Sequence, residues 1–253
     1  MKHIFRFMIA VLLLVVLSAC KDDEGSLTVA FTATYGTEPL VMFDIHDYAF
    51  DQRVQFTRLE FFISNLGLIR RDGTVYKLSD LELIDLTFTD RGAAETGVEL
   101  TYRGVPAGTY ESVQFALGVD PVLNATVPAD YSSDHPLSET GRYWHAWNSY
   151  IFSKSEGNLD TLNDGTDNPD LGFAYHTGTD DFYLPIATGF PISIPDGAGE
   201  KITFRLNYEA LFGVSVGDLI DIQAKPQNHN PLDTLEINKI LDNYLGALSF
   251  IIE

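Results

Sequence analysis

The chain has 253 residues and a formal net charge of −20, with 16 Lys and Arg against 36 Asp and Glu. That balance leaves no basic stripe to displace counterions from phosphates, which argues against nucleic acid and against electrostatic docking on anionic lipid. A single cysteine leaves no internal disulfide, so stability must come from a core, and 17 Phe with 12 Tyr are ample for one large all-β domain or two small ones.

Lys2 and Arg6 precede an apolar run from Met8 to Leu17 that is too short to span a bilayer as a mature helix. Leu17-Ser18-Ala19-Cys20 closes the run and resembles a bacterial lipobox, in which the cysteine is lipidated and becomes the first mature residue. Residues 1–19 are therefore expected to form a lipoprotein signal peptide, 20–26 a lipidated cysteine and acidic tether, and 27–253 one β domain. Loss of Lys2 and Arg6 removes two positive charges and takes −20 to −22. Lys21-Asp22-Asp23-Glu24 resembles the lysine-then-acidic tag of surface lipoproteins. The expected location is the outer membrane, at the cell surface or on the periplasmic face, with membrane contact through the lipid on Cys20.

Strands follow. Leu27, Val29 and Phe31 alternate with polar or small residues, and Val54–Thr57 alternates before the dense run from Leu59 to Leu68. Residues 98–102, 113–117 and 202–208 share the period of two, which places an apolar row on one face as half-buried antiparallel strands require. Arg71-Asp72-Gly73-Thr74, Pro106-Ala107-Gly108 and Pro195-Asp196-Gly197 supply turns. The fold class is all-β, an antiparallel, Greek-key-like sandwich with long loops and one C-terminal helix. Residues 120–182 lack alternation. A stretch of that length is read as functional, and Tyr143, Trp144, Trp147, Tyr150 and Phe152 argue against disorder. Asp233-Thr234-Leu235-Glu236 reads as a capping box. Ile237, Ile240, Leu241, Tyr244, Leu245 and Leu248 then form an apolar stripe, predicting a helix from about 234 to about 246 and a short strand through Phe250.

After the leader the histidines are His46, His135, His145, His176 and His229, and none forms a close metal motif such as HExxH. His46, between Asp44 and Asp47, is read as a surface residue held by carboxylates. Asp160, Asp164, Asp167 and Asp170 offer oxygen ligands of the kind calcium takes, but the EF-hand spacing fails, and a solvated acidic loop is the expected reading. No glycine-rich phosphate loop follows a strand and no spare thiol is present, so no enzyme is expected.

Five ordered blocks resemble the MbnP-like family, that of the methanobactin-associated copper-binding protein and the copper-repressible surface proteins of methanotrophs. They are Phe61-Phe62-Ile63-Ser64-Asn65-Leu66 with Asp72-Gly73, and Val105 to Tyr110 with Val113-Gln114-Phe115. His135-Pro136-Leu137-Ser138 leads into Tyr143-Trp144, Trp147-Asn148-Ser149-Tyr150 and Glu156-Gly157. Phe173 to Gly178, and His229 with Ile240 to Tyr244, complete the set. The resemblance implies an extracytoplasmic β domain that binds copper through loop histidines, His135 and His229 first, with His176 or His145 completing the site. It also implies a dihaem cytochrome-peroxidase-like partner that oxidises a tryptophan to kynurenine, with Trp144 and Trp147 the aromatics concerned. Two departures stand against a full transfer. Ser64 replaces a histidine of the methanotroph proteins, and Trp144 and Trp147 are spaced W-x-x-W. The second expectation is accordingly a surface lipoprotein that keeps the fold and binds a protein or glycan without metal. Imidazole suits both copper oxidation states, whereas blue copper lacks its thiolate.

Overall fold

The computed structural model describes residues 23–162, 168–213, 219–228 and 235–253. The signal segment, Cys20, Asp164, Asp167, His229 and Asp233 lie outside the described residues. The strands are β1 (Glu24–Tyr35), β2 (Glu38–Pro39), β3 (Ile45–Asp47), β4 (Arg53–Ile69), β5 (Val75–Asp85), β6 (Val98–Pro106), β7 (Gly108–Tyr110) and β8 (Ser112–Leu117). They continue with β9 (Tyr143–Trp144), β10 (Ser149–Asp160), β11 (Leu171–Gly178), β12 (Leu184–Ala187), β13 (Ile192–Ile194), β14 (Gly199–Asn207), β15 (Gln227–Asn228) and β16 (Leu248–Ile252). Helices are few: α1 (Arg91–Thr96), α2 (Pro121–Asn124), α3 (Tyr208–Leu211) and α4 (Leu235–Ala247).

Two sheets make the body. The smaller runs β16-β14-β1, with β6 and β2 on the far edge of β1. The larger is organised around β4, which pairs with β10 and β8 along one edge and with β3 and β5 along the other. Strand β11 adds to β10, and β12 adds to β8. The pairings are antiparallel except β1 with β14 and β11 with β15, which are parallel. The alternating rows seen in the sequence meet between the sheets. Phe31 stacks on Phe204 at 5.2 Å, and Phe115 meets Phe204 edge-on at 4.9 Å. Phe56 lies edge-on to Phe173, Tyr208 and Phe212 at one end of this core. Each fully buried ring contributes about 1.5–3 kcal/mol by leaving water, and well-set ring pairs add about 0.5–1.5 kcal/mol.

The segment 120–182, expected to lack regular strands, contains two long ones, β10 and β11. Both faces of β10 are covered. Ser155 faces the inner core, where its hydroxyl meets the Tyr208 hydroxyl at 3.0 Å. Tyr150 and Phe152 face an outer apolar cluster with Phe62, Leu81, Leu137 and Tyr143. A strand buried on both sides has no reason to alternate, which is why its pattern was silent. Residues 119–148 form the excursion that covers this outer face.

The C-terminal helix and strand fall where the apolar stripe placed them. Ile237, Ile240, Tyr244 and Ala247 are buried, whereas Leu245 is exposed. Glu236, expected to reach back to the cap, is buried and ion-paired with Lys225 at 3.1 Å. No helix among the described residues is long and apolar enough to cross a membrane.

Candidate metal centre

Register across the larger sheet lines up Glu60 on β4, Lys154 on β10 and His176 on β11, with Arg58 opposite Glu156 in the adjacent row. These alternate positions face the covering excursion. The His176 ring Nε2 lies 2.8 Å from Glu156 Oε1. That hydrogen bond, opposed by burial and helped by Arg58 and Lys154, holds the Glu156 carboxyl below its ordinary value. An ionised carboxylate only accepts, so Nε2–H is the donor, and a neutral His176 carries its lone pair on the buried Nδ1.

Trp144 presents an edge to His176 with ring centroids 6.2 Å apart, and it stacks on Trp147 at 4.9 Å and 11°. The turn that folds the pair together has Trp147 N–H donating to Trp144 C=O at 3.0 Å, and it closes with Asn148 at φ 51°, a left-handed position that Asn tolerates. Trp147 lies over Gly178, where a Cβ would come within 2.7 Å of its ring. Thus β11 contributes His176 and, two residues on, the flat floor that seats the tryptophans. Trp144 and Trp147 are half-buried and stacked against this strand.

Beside the centre is a charge cluster that the sequence did not reveal. The Glu60 side chain is 3% exposed and receives Arg142, Lys154 and Arg58 at 3.1, 3.2 and 3.2 Å. Burial favours the neutral acid, but the Arg142 hydrogen bond and the three cations outweigh it and hold Glu60 below its ordinary value. Its partners lie 2, 82 and 94 residues away in sequence, and the only available signal was that Arg58 and Glu60 occupy alternate polar positions at the edge of a dense apolar run.

The other candidate ligands sit apart. His135 stacks on Tyr131 at 4.1 Å, and its Nδ1 accepts from Leu137 N–H at 3.1 Å. A neutral His135 in this pose therefore carries its proton on Nε2. The 3-10 turn Pro136–Ser138 that it opens packs against β5. The order β5-β4-β10-β11 puts β5 and β11 three spacings apart, roughly 14 Å. His145 is exposed, edge-on to Tyr143 at 5.0 Å. Among the described residues no three His, Cys, Asp or Glu side chains gather as a metal-binding group. His229 follows Asn228, which is in register with Tyr175, the neighbour of His176.

His46 is half-buried and stacks on Tyr35 at 4.3 Å. Burial lowers its basicity more than Asp44, Asp47 and Glu209 raise it. Ser64 is fully buried: its hydroxyl donates to Gly118 C=O at 2.7 Å and accepts from Asp120 N–H at 2.9 Å. In the acidic loop, Asp170 binds Thr161 through both oxygens, and Asp160 is buried and accepts from Leu162 N–H. Elsewhere on the larger sheet a groove of about 450 Å³ is lined by Asn65, Lys77, Gln114, Tyr183 and Pro185. It contains no histidine.

A family model described as MbnP matches residues 24–231. Among solved structures, MbnP from Methylosinus trichosporium aligns with a TM-score of 0.54 at 12% identity, covering 90% of this chain and 98% of that one. Among curated proteins no sequence matches. At that identity the structural likeness speaks for the fold, whereas the family match runs from the first strand through most of the chain. The chain belongs to the MbnP family.

Proposed function

We propose that this protein binds copper outside the cytoplasm, as a lipoprotein anchored through Cys20 at the outer membrane, and serves copper uptake or homeostasis. The observation that carries the reading is the His176–Glu156 pair under Trp144. A carboxylate on one ring nitrogen fixes the tautomer and orientation of an imidazole and raises its basicity toward a metal at the other nitrogen. His176 would hold copper through Nδ1, and a small set of imidazoles suits Cu(I) and Cu(II) alike. His229 and His145 are the residues proposed to complete the set, whereas His135, on a turn held against β5 roughly 14 Å from β11, could join only if the covering chain moved as well. His135 would have to exchange its Leu137 hydrogen bond for a different tautomer in order to ligate through Nε2. A dihaem cytochrome-peroxidase-like partner is proposed by family likeness alone, and W-x-x-W spacing speaks against oxidation of a tryptophan here.

Titration with Cu(I) and Cu(II) tests the reading, alongside the His176→Ala/His229→Ala double variant. Tight, stoichiometric binding that the variant loses supports it. Weak binding that the variant leaves unchanged overturns it. A second reading, a metal-free scaffold for a protein or glycan, is favoured by the groove beside Asn65 and Tyr183 and by the structural role of Ser64. It predicts no copper stoichiometry at all.

A further inference from the structure

We propose that Glu60 is the positioning residue of this centre, a buried latch that holds the hairpin carrying Trp144, His145 and Trp147 down on the strand row ending at His176. The proposal takes from the copper reading only the purpose of the hairpin, and the latch itself stands on geometry. Both carboxylate oxygens are used. Arg142 Nε donates to Oε1 at 3.3 Å and its Nη2 donates to Oε2 at 3.1 Å, a forked contact. Lys154 lies 3.2 Å from Oε1 and also donates to Gly141 C=O at 3.0 Å, while Arg58 reaches Oε2 at 3.2 Å.

Arg58 and Lys154 belong to the sheet, whereas Gly141 and Arg142 belong to the covering chain and lead directly into Tyr143 and Trp144. Glu60 therefore bridges sheet and cover, and Lys154 adds a second tie between the same two partners. The arrangement depends on the negative charge. Without it three cations share one confined space and repel each other, and an ion pair broken on one side leaves buried charge uncompensated. Arg58, 40% exposed, can swing into solvent without moving the sheet, whereas Arg142, 18% exposed, is the member carried by the covering chain. Its departure would lift the start of the hairpin, with Trp144 the next residue but one. Trp147 on Gly178 and Tyr143 in the outer apolar cluster support the hairpin from elsewhere, so the latch sets its pose rather than its existence.

The chain has two tryptophans, and both lie in this hairpin, so tryptophan emission reports on it alone. Glu60→Gln keeps size and removes charge. The expected result is a red shift and increased acrylamide quenching with an unchanged far-ultraviolet dichroism spectrum. Arg142→Met should reproduce this, and Arg142→Lys, which keeps the charge, should restore much of the protected emission. Should Glu60→Gln fail to fold, the Arg142 pair carries the test. Emission unchanged in Arg142→Met, or no difference between its Met and Lys forms, overturns the latch. In copper titration the latch variants should bind about 10- to 100-fold more weakly, as lost outer-shell support does elsewhere. If the unaltered protein binds no copper, the copper reading fails, and the latch is still decided by emission.

Discussion

Replacing Ser64 by alanine is expected to destabilise the protein well beyond what the loss of one small hydroxyl suggests. Ser64 is fully buried on β4, and its hydroxyl joins Gly118 C=O to Asp120 N–H across the start of the covering excursion. Alanine removes both bonds and leaves a carbonyl and an amide without that partner in a dry site. At about 0.5–1.5 kcal/mol per bond, and about 1–3 kcal/mol where a buried group is orphaned, the sum is about 2–3 kcal/mol. For a chain of this size that corresponds to a Tm lower by about 4–12 °C. The effect should also spread. Asp120 caps α2 through Val122 N–H and accepts from Asn65 Nδ2, and Asn124 of α2 accepts from Ser149 Oγ and Tyr150 N–H beside the hairpin. Thermal and denaturant unfolding of Ser64→Ala against the unaltered chain measures the cost. A change below about 0.5 kcal/mol would refute the assignment of Ser64 as a structural tie and restore the view of it as merely a lost ligand.

One further substitution and a pH profile probe the same region. Gly178→Ala places a Cβ 2.7 Å from the Trp147 ring and 2.8 Å from Tyr150 C=O, so Trp147 must move. A loss of about 1–3 kcal/mol with altered tryptophan emission is expected, and a neutral result would contradict the seating described. Glu60 titrates below its ordinary value of 4.5, so the unfolded chain takes up its proton first as the medium acidifies. The stability it contributes is complete above the ordinary value and is lost as pH falls through the lower, folded-state value. Tm measured from roughly pH 7 to pH 3 should fall more gently in Glu60→Gln than in the unaltered protein, and an equal slope would show that Glu60 is not held ionised.

Much of the fold was legible because it obeys local rules. Leu27, Val29 and Phe31, and Ile202, Phe204 and Leu206, alternate because each strand has one face on the core, and both sets are buried. The terminal stripe predicted a helix from about 234 to 246, and α4 occupies Leu235–Ala247. Strands β10 and β11 were hidden because double-sided burial removes the alternation that marks a strand. The site divides in the same way. His176, Trp144 and Trp147 stood out as residue types in a recognisable block, and the stack of His135 on Tyr131, four residues earlier, is a local contact. Glu60 with Arg142 and Lys154 could not be read, because register between β4 and β10 brings together residues that are far apart in sequence. Ser64 was read by what it is not, a histidine, while its own hydrogen bonds depend on Gly118 and Asp120 from another strand's end.

The measurement that bears most directly on the central claim is tryptophan emission during copper titration under reducing and oxidising conditions, repeated with His176→Ala. A metal at His176 would lie beside both tryptophans of the chain. The account predicts quenching that saturates at one copper per chain and disappears in His176→Ala while the fold persists. Emission that is indifferent to copper, or quenching that the variant leaves intact, would contradict a copper centre at this strand.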